Sequence, residues 1–424
     1  MPHQFSSVSI NDIKIISNSS SLANTMTEIS INDRRNDHEP TSAVLDYCKR
    51  KFLQPYTLIL SIVALNPTPT DTTYLRVVIG HMQSCFVVIT LIFGYCLQCL
   101  STYRFDRSLT SNRQEIYITQ KIGLPPHETP IGCIILSALH LFGYVSAIIV
   151  WKFFEQEQQK NLIERVFLMT KQPKSLCRTL WLLLTFEFTI FILFYICTKP
   201  IDWTNSEWLQ KLDQYWQVKV KITLSTILFI QDFLEVIILS NYCIESYLLR
   251  IYITSLSEKL LLHSIDILHW MRETLEFYTL LHRLNYYVSV PVGFLAFRSI
   301  VSVFGRCLYM FKYFGVLYSN HKTILNVADI LLQLLLCLLP FFMAASLTQK
   351  CKIIKSIGHR IRGRPFVYQN SSNEELNTVL LFSSSLEMSA ELFRMPIQYN
   401  YLCFVLLSCS ITFLTIAVYC NLSA

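Results

Sequence analysis

The chain has 424 residues, of which 52% are hydrophobic, 13% aromatic and only 15% charged. Such a composition is too apolar for an ordinary soluble protein of this length and points to a polytopic membrane protein. The formal net charge of +7 would suggest a nucleic-acid partner in a soluble chain; here no nucleic acid is expected, and where the basic residues fall matters more than their sum.

The chain opens with a leader rich in Ser, Asn and Asp that has no continuous apolar core. It does not read as a secretory signal, and residues 1–45 are expected to be a disordered cytoplasmic leader. From Lys51 to Leu65 runs a short apolar stretch ended by Asn-Pro-Thr-Pro-Thr. It is too brief to cross a bilayer and is expected to be an interfacial or packed helix. Seven stretches then suffice to cover a hydrocarbon core of roughly 30 Å as helices of about 20 residues. They are Val77 to Cys99, Ile131 to Phe153, Leu180 to Cys197, Ile222 to Cys243, Tyr287 to Met310, Ile324 to Leu347, and Tyr399 to Val418. The expected fold class is all-α, with seven transmembrane helices.

Between the fourth and fifth spans, Leu and Ile keep helical spacing from Ser246 to Tyr286 with charges between them. This predicts that the fourth span continues as an amphipathic helix into a packed cytoplasmic layer. The polar run from Gly363 to Asn377 is expected to be a mobile cytoplasmic loop. Counted by side, the leader and the loops after the second, fourth and sixth spans hold 22 Lys and Arg, against 10 for the other loops and the tail. That bias predicts a cytoplasmic N terminus and an extracellular C terminus, the reverse of a G-protein-coupled receptor. The first span then serves as signal anchor, and residues 46–347 carry six spans with their cytoplasmic extensions. Residues 348–424 form a cytoplasmic anchor segment and the seventh helix.

Most of the 14 cysteines fall inside predicted spans, including Cys85, Cys133, Cys337, Cys403 and Cys409, so buried free thiols are expected rather than a disulfide framework. The histidines form no metal pattern; His263, His269 and His282 do not share one helix face. No Gly-rich phosphate loop, His-Glu-x-x-His pair or nucleophile elbow occurs. Neither catalysis, a cofactor nor a metal is expected.

Charges inside spans carry more information, because each costs about 2.5 to 3.5 kcal/mol at a helix centre unless compensated. At a rise of about 1.5 Å per residue, Asp232 and Arg298 both fall near the midplane and are expected to pair or share a hydrated cavity. Arg306 and Asp329 fall at a similar outer depth and make a second candidate pair. Aromatic and hydrogen-bonding groups gather in the outer halves of the spans. From them His140, Tyr195, Arg306, Asp329 and Gln333 are drawn as candidate residues for a small organic ligand. Packing of the bundle accounts for the same pattern, and spacing alone does not choose.

Along the last span and its end, Ser408, Thr412, Thr415 and Tyr419 follow at spacings of four, three and four, which place them on one helix face. A polar stripe on a membrane helix faces a water-filled path or glues the helix to a neighbour. Both readings stand on the stripe alone.

At this end the chain resembles the insect chemoreceptor superfamily, and within it the gustatory receptor family. That family carries Thr-Tyr, five apolar residues and Gln-Phe; the same register holds Thr412-Phe413, then Leu414 to Val418, then Tyr419-Cys420, so only Thr412 keeps its signature side chain. Leu381 to Phe393 looks like the cytoplasmic half of the family's seventh helix. The resemblance implies a ligand-gated, non-selective cation channel of four subunits, homomeric or heteromeric, in the plasma membrane and its lipid. Each subunit would give its seventh helix to the pore, with Thr412, Thr415 and Tyr419 facing the ions and Phe404 and Val405 forming a dry constriction. A seven-helix receptor without channel activity and a secondary transporter using Glu187, Asp232, Glu235 and Arg298 remain the alternatives.

Overall fold

The computed structural model describes residues 41–65, 74–101, 128–154, 158–198, 213–312, 320–363 and 372–403, with 406 and 410. Eleven numbered helices and one small strand pair organise them. The helices are α1 (Gln54–Ile62), α2 (Tyr74–Ser101), α3 (Glu128–Ile149), α4 (Gln158–Met169), α5 (Pro173–Thr198) and α6 (Gln214–Leu261). They continue with α7 (Ile267–Arg283), α8 (Ser289–Lys312), α9 (Asn320–Lys355), α10 (Ile357–Arg362) and α11 (Asn373–Ser385). Strands β1 (Glu391–Leu392) and β2 (Met395–Pro396) pair antiparallel, Glu391 opposite Pro396 and Leu392 opposite Met395.

Among the described residues six helical segments are long and apolar enough to cross a membrane: Val78–Leu97, Ile134–Lys152, Pro173–Ile196, Gln214–Leu261, Ile267–Gly305 and Val327–Lys355. They overlap the first six expected spans and make this a multi-pass membrane protein. The stretch expected as a seventh span lies mostly outside the described residues. Large apolar side chains such as Met82, Phe86 and Ile89 stay exposed along α2, as a lipid-facing surface requires and a water-facing one does not.

α6 is the axis of the molecule. Its 48 residues span roughly 72 Å at about 1.5 Å per residue, more than twice a hydrocarbon core. The half from Leu234 to Leu260 is buried almost continuously, so the extension of the fourth span beyond the bilayer is a packed helix, as its Leu and Ile spacing predicts. That extension stops earlier than Tyr286. The backbone turns at Leu262–Asp266, with His263 at φ 51°, and α7 packs back along α6 through Trp270 and Phe277, whose ring stands 5.8 Å from that of Tyr252. A π-turn at Leu284–Val288 then leads α7 directly into α8.

The short N-terminal run resolves toward packing. Residues 41–48 are helical, so the chain is already helical within the leader boundary expected at 45. A π-turn at Lys49–Leu53 leads into α1. Phe52 is fully buried, stacked 5.4 Å from Tyr56 and edge-on to Trp181 at 6.1 Å. Asn241 of α6 accepts from Tyr56 and from Gln159 of α4 and donates to Glu245 at 2.9 Å. A buried amide satisfied on both sides fixes three helices in one arrangement, because breaking any bond strands a polar group.

Two further expectations need correction. Asn373 to Asn377, expected in a mobile loop, begin α11, because Ser372 and Glu375 close a capping box there; residues 364–371 lie outside the described set. Leu381 to Phe393, expected to be one helix, leave the helical path after Ser385: the chain runs extended to β1 and turns through Phe393 and Arg394 at φ 56° and 60°. α11 packs on α10 at Gly358, where a Cβ would stand 2.7 Å from the Leu380 backbone, so only glycine permits that approach. The nine cysteines whose side chains are described are all free; Cys337 is buried as expected, while Cys85 and Cys403 are exposed. Burial pushes the Cys48 thiol up to about 12, which leaves it protonated and unreactive.

Candidate functional site

Three membrane helices bring their polar side chains to one point. On α6, Asp232 and Glu235 are three residues apart and so share a face; on α8, Arg298, Ser299 and Ser302 turn toward it. The Arg298 guanidinium donates to Glu235 and stands 3.8 Å from Asp232. Ser299 donates to the second Glu235 oxygen at 2.6 Å. Ser302 reaches Gln333 of α9 at 3.4 Å. Asp232, Glu235, Arg298 and Ser299 are all buried. With both Glu235 oxygens hydrogen-bonded, this cluster meets the conditions under which a charged group is tolerated inside an apolar bundle.

Beside the cluster lies a cavity of about 30 Å³ walled by Phe191 and Phe194 of α5, Asp232 and Glu235, Arg298 and Gln333. That volume holds on the order of one or two waters, whereas pockets for organic ligands run from about 300 Å³ upward. Polar on one wall and aromatic on the other, the cavity has the chemistry of a ligand site at the size of a hydration site. To take an organic molecule, α5, α8 and α9 must separate.

The expected pairing of Arg298 with Asp232 is present, but the closer partner is Glu235. Of the candidate ligand residues, Gln333 is in the cavity wall. His140 is buried elsewhere, in contact with Tyr95 through Nδ1 and with the Gln231 carbonyl through Nε2 at 3.0 Å. Since a carbonyl only accepts, Nε2 carries the proton and Tyr95 donates to Nδ1. Tyr195 sits behind the aromatic wall, its ring 5.2 Å from Phe229 and its hydroxyl 3.2 Å from Ser225. Asp329 is one turn from Gln333 on α9 and half-buried. The Arg306 side chain, and Ser408, Thr412, Thr415 and Tyr419, lie outside what is described, as do Phe404 and Val405. Glu235, Ser299 and Ser302 are not among the ligand residues drawn from sequence; the Asp232-x-x-Glu235 spacing is the signal that points to them.

A second buried acid stands apart. Glu187 of α5 accepts from Ser240 of α6 and has the Cys243 thiol of α6 beside it as a second partner.

No protein-family model and no curated protein matches the chain. Among solved structures it is similar to the insect olfactory receptor OR5 from Machilis hrabei in complex with eugenol, with a TM-score of 0.53 at 14% identity, over 88% of this chain and 98% of that one. The chain has the fold of an insect olfactory receptor. A second structure of OR5 matches at 16% identity over 87% of this chain and 97% of that one, with a TM-score of 0.47. Within the olfactory-receptor fold, the Asp232–Glu235–Arg298 cluster and its cavity lie among α5, α6, α8 and α9, in the membrane-crossing part of the bundle.

Proposed function

We propose that this chain is a gustatory-type chemoreceptor, one subunit of a ligand-gated, non-selective cation channel in the plasma membrane. The observation that carries the reading is the fold shared with OR5 across nearly the whole of that receptor, together with a buried polar and aromatic cavity between membrane helices. OR5 was solved with eugenol, a small organic molecule; by analogy a small organic ligand enters beside Arg298, Glu235 and Gln333. His140, Tyr195, Arg306 and Asp329 would line the enlarged pocket or brace its walls. Opening follows if the ligand binds the parted arrangement better than the closed one.

In this reading the N terminus is cytoplasmic, a seventh helix ends the chain outside, and four such helices, from identical or related subunits, line the pore. Ser408, Thr412, Thr415 and Tyr419 face the ions, residues 348–424 supply the anchor and pore helix, and the chain has no catalytic role and needs no cofactor or metal. The deciding experiment is whole-cell current from cells expressing the chain, with Thr415→Cys and Tyr419→Cys tested before and after an external thiol reagent. The reading predicts a cation current that the reagent alters at these positions only. Surface expression with no current under a broad ligand panel overturns it for this subunit acting alone.

A secondary transporter is the second reading, favoured by the buried Asp232, Glu235 and Arg298 near the midplane and by the buried Glu187. It predicts saturable uptake without channel current.

A further inference from the structure

A larger hollow lies away from the membrane cavity, where α7 leads into α8. One wall is the row Tyr278, His282 and Tyr286, four residues apart on α7 and its π-turn; the other is the extended segment and turn carrying Glu387, Glu391 and Arg394. Its volume is about 330 Å³, inside the range of small-molecule sites. The two walls are fixed to each other. Asn285 donates to the Ser389 carbonyl at 2.7 Å and accepts from the Glu391 amide at 2.9 Å, so one side chain sets the spacing of the groove. From the other side Thr348 of α9 bonds the Ala390 amide at 3.0 Å. The turn holds Phe393 and Arg394 in left-handed backbone and lays the Phe393 ring over Gly293 at the start of α8. The groove therefore sits at one end of the membrane-crossing part of α8.

Its chemistry is divided. Arg394 stands 6.0 Å above the Tyr286 ring, and His282 stacks on the same ring at 5.9 Å. Glu387 and Glu391 supply two carboxylates on the same wall as Arg394, and the Tyr278 hydroxyphenyl completes an aromatic side. An anion alone meets two like charges there, and a simple amine leaves the arginine unused. A molecule carrying both signs matches the groove: its anionic group on Arg394, which Tyr286 holds in place, and its ammonium against the Tyr278 ring and the two glutamates.

We propose that this groove binds a zwitterion in which an ammonium and a phosphate lie a few bonds apart, the chemistry shared by a choline phospholipid headgroup and by a free phosphodiester of choline. Its place at the end of a membrane span lets either source reach it. The site is separate from the membrane cavity and does not depend on whether the chain conducts ions.

The test uses the full-length chain purified in maltoside detergent, with native mass spectrometry to count bound phosphatidylcholine and thermal melting to follow soluble glycerophosphocholine. One bound phosphatidylcholine per chain is expected, with affinity falling at least five-fold in Tyr286→Leu, Arg394→Gln and Glu391→Gln. Glu387→Gln, at an exposed position, is the variant least exposed to a folding defect and is expected to weaken binding in the same direction. If glycerophosphocholine raises Tm in the wild type and not in these variants, a free zwitterion suffices; if only the lipid binds, the source is the bilayer. Either result supports the site. Unchanged affinity in folded Glu387→Gln and Arg394→Gln overturns it, as does equal binding of phosphatidylglycerol, or a change in subunit association with no change in lipid binding.

Discussion

Two arginines in this molecule each face two acids, and they do so in opposite surroundings. Arg298 meets Asp232 and Glu235 within the membrane helices, with its side chain 4% exposed. Arg165 of α4 meets Glu273 at 2.7 Å and also Glu276, both on α7 outside the bundle core, and is 28% exposed. Tyr252 joins the second cluster by donating to Glu273 at 2.7 Å, and the Arg165 guanidinium lies 5.5 Å over its ring. Burial works against the Arg165 charge, but the hydrogen bonds to Glu276 and Glu273 and the neighbouring Tyr252 outweigh it and hold its pKa above the ordinary arginine range. The same charge pattern thus has two meanings. At Arg298 the adjoining cavity has room for only about one or two waters, too few to solvate a stranded charge as bulk solvent does, so the cluster is obligatory; at Arg165 solvent is the alternative partner, so the cluster only biases how α4 sits on α7.

The difference breaks most sharply if the membrane cluster proves dispensable. Arg298→Met leaves two buried carboxylates without their cation and is expected to cost about 4 kcal/mol, read by equilibrium unfolding in mixed micelles or as loss of monodisperse protein after solubilisation. Adding Glu235→Leu and Asp232→Asn to Arg298→Met should recover most of the loss, because apolar or neutral groups need no partner there. If Arg298→Met costs no more than the corresponding change at Arg165, the two clusters are equivalent and the contrast fails.

How much of this was legible in the sequence follows the same physics. The six spans read out because uninterrupted apolar runs of about 20 residues match the thickness of a bilayer and exceed what a soluble core buries in one helix. Depth counting at about 1.5 Å per residue brought Arg298 and Asp232 to one level, yet it could not choose between Asp232 and Glu235, one turn apart; that choice depends on side-chain direction. The turn at Leu262–Asp266 was hidden because apolar spacing continues through it, and the signals that mark it, Ser264 and Asp266 ahead of α7, are short and common. The run Asn370-Ser371-Ser372-Asn373 read as loop while its last serine was already capping α11 with Glu375. His140 is legible as a polar residue in an apolar span. Its main-chain acceptor, the Gln231 carbonyl, leaves no trace in residue types.

Two intermediate changes sharpen the contrast. Arg165→Met removes the cation beside Glu273, which is itself only 10% exposed and keeps the Tyr252 hydroxyl, and is expected to cost about 2 kcal/mol, between the buried and surface cases. Ser299→Ala takes away the donor to one Glu235 oxygen but leaves Arg298 on the other, for an expected loss of about 1.5 kcal/mol, in the range of a hydrogen bond to a charged group. Both are measured by the same unfolding titration. An effect of Ser299→Ala as large as that of Arg298→Met would mean that the hydroxyl, not the guanidinium, holds the carboxylate.

Glu276→Gln is the smallest and most selective change. Its side chain is 52% exposed, so water solvates the carboxylate nearly as well as Arg165 does, and Arg165 keeps Glu273 when Glu276 is neutralised. The expected loss is about 0.5 kcal/mol or less, and it should vanish as salt is raised, since the Debye length falls from about 10 Å at 0.1 M to about 3 Å at 1 M. Glu235→Gln, the matching change inside the bundle, should keep its effect over the same salt range, because a buried pair is screened far less. Running the two side by side measures the dielectric contrast directly. A salt-independent loss in Glu276→Gln would place that acid in an environment as dry as that of Glu235 and remove the basis for treating the outer cluster as solvent-exchangeable.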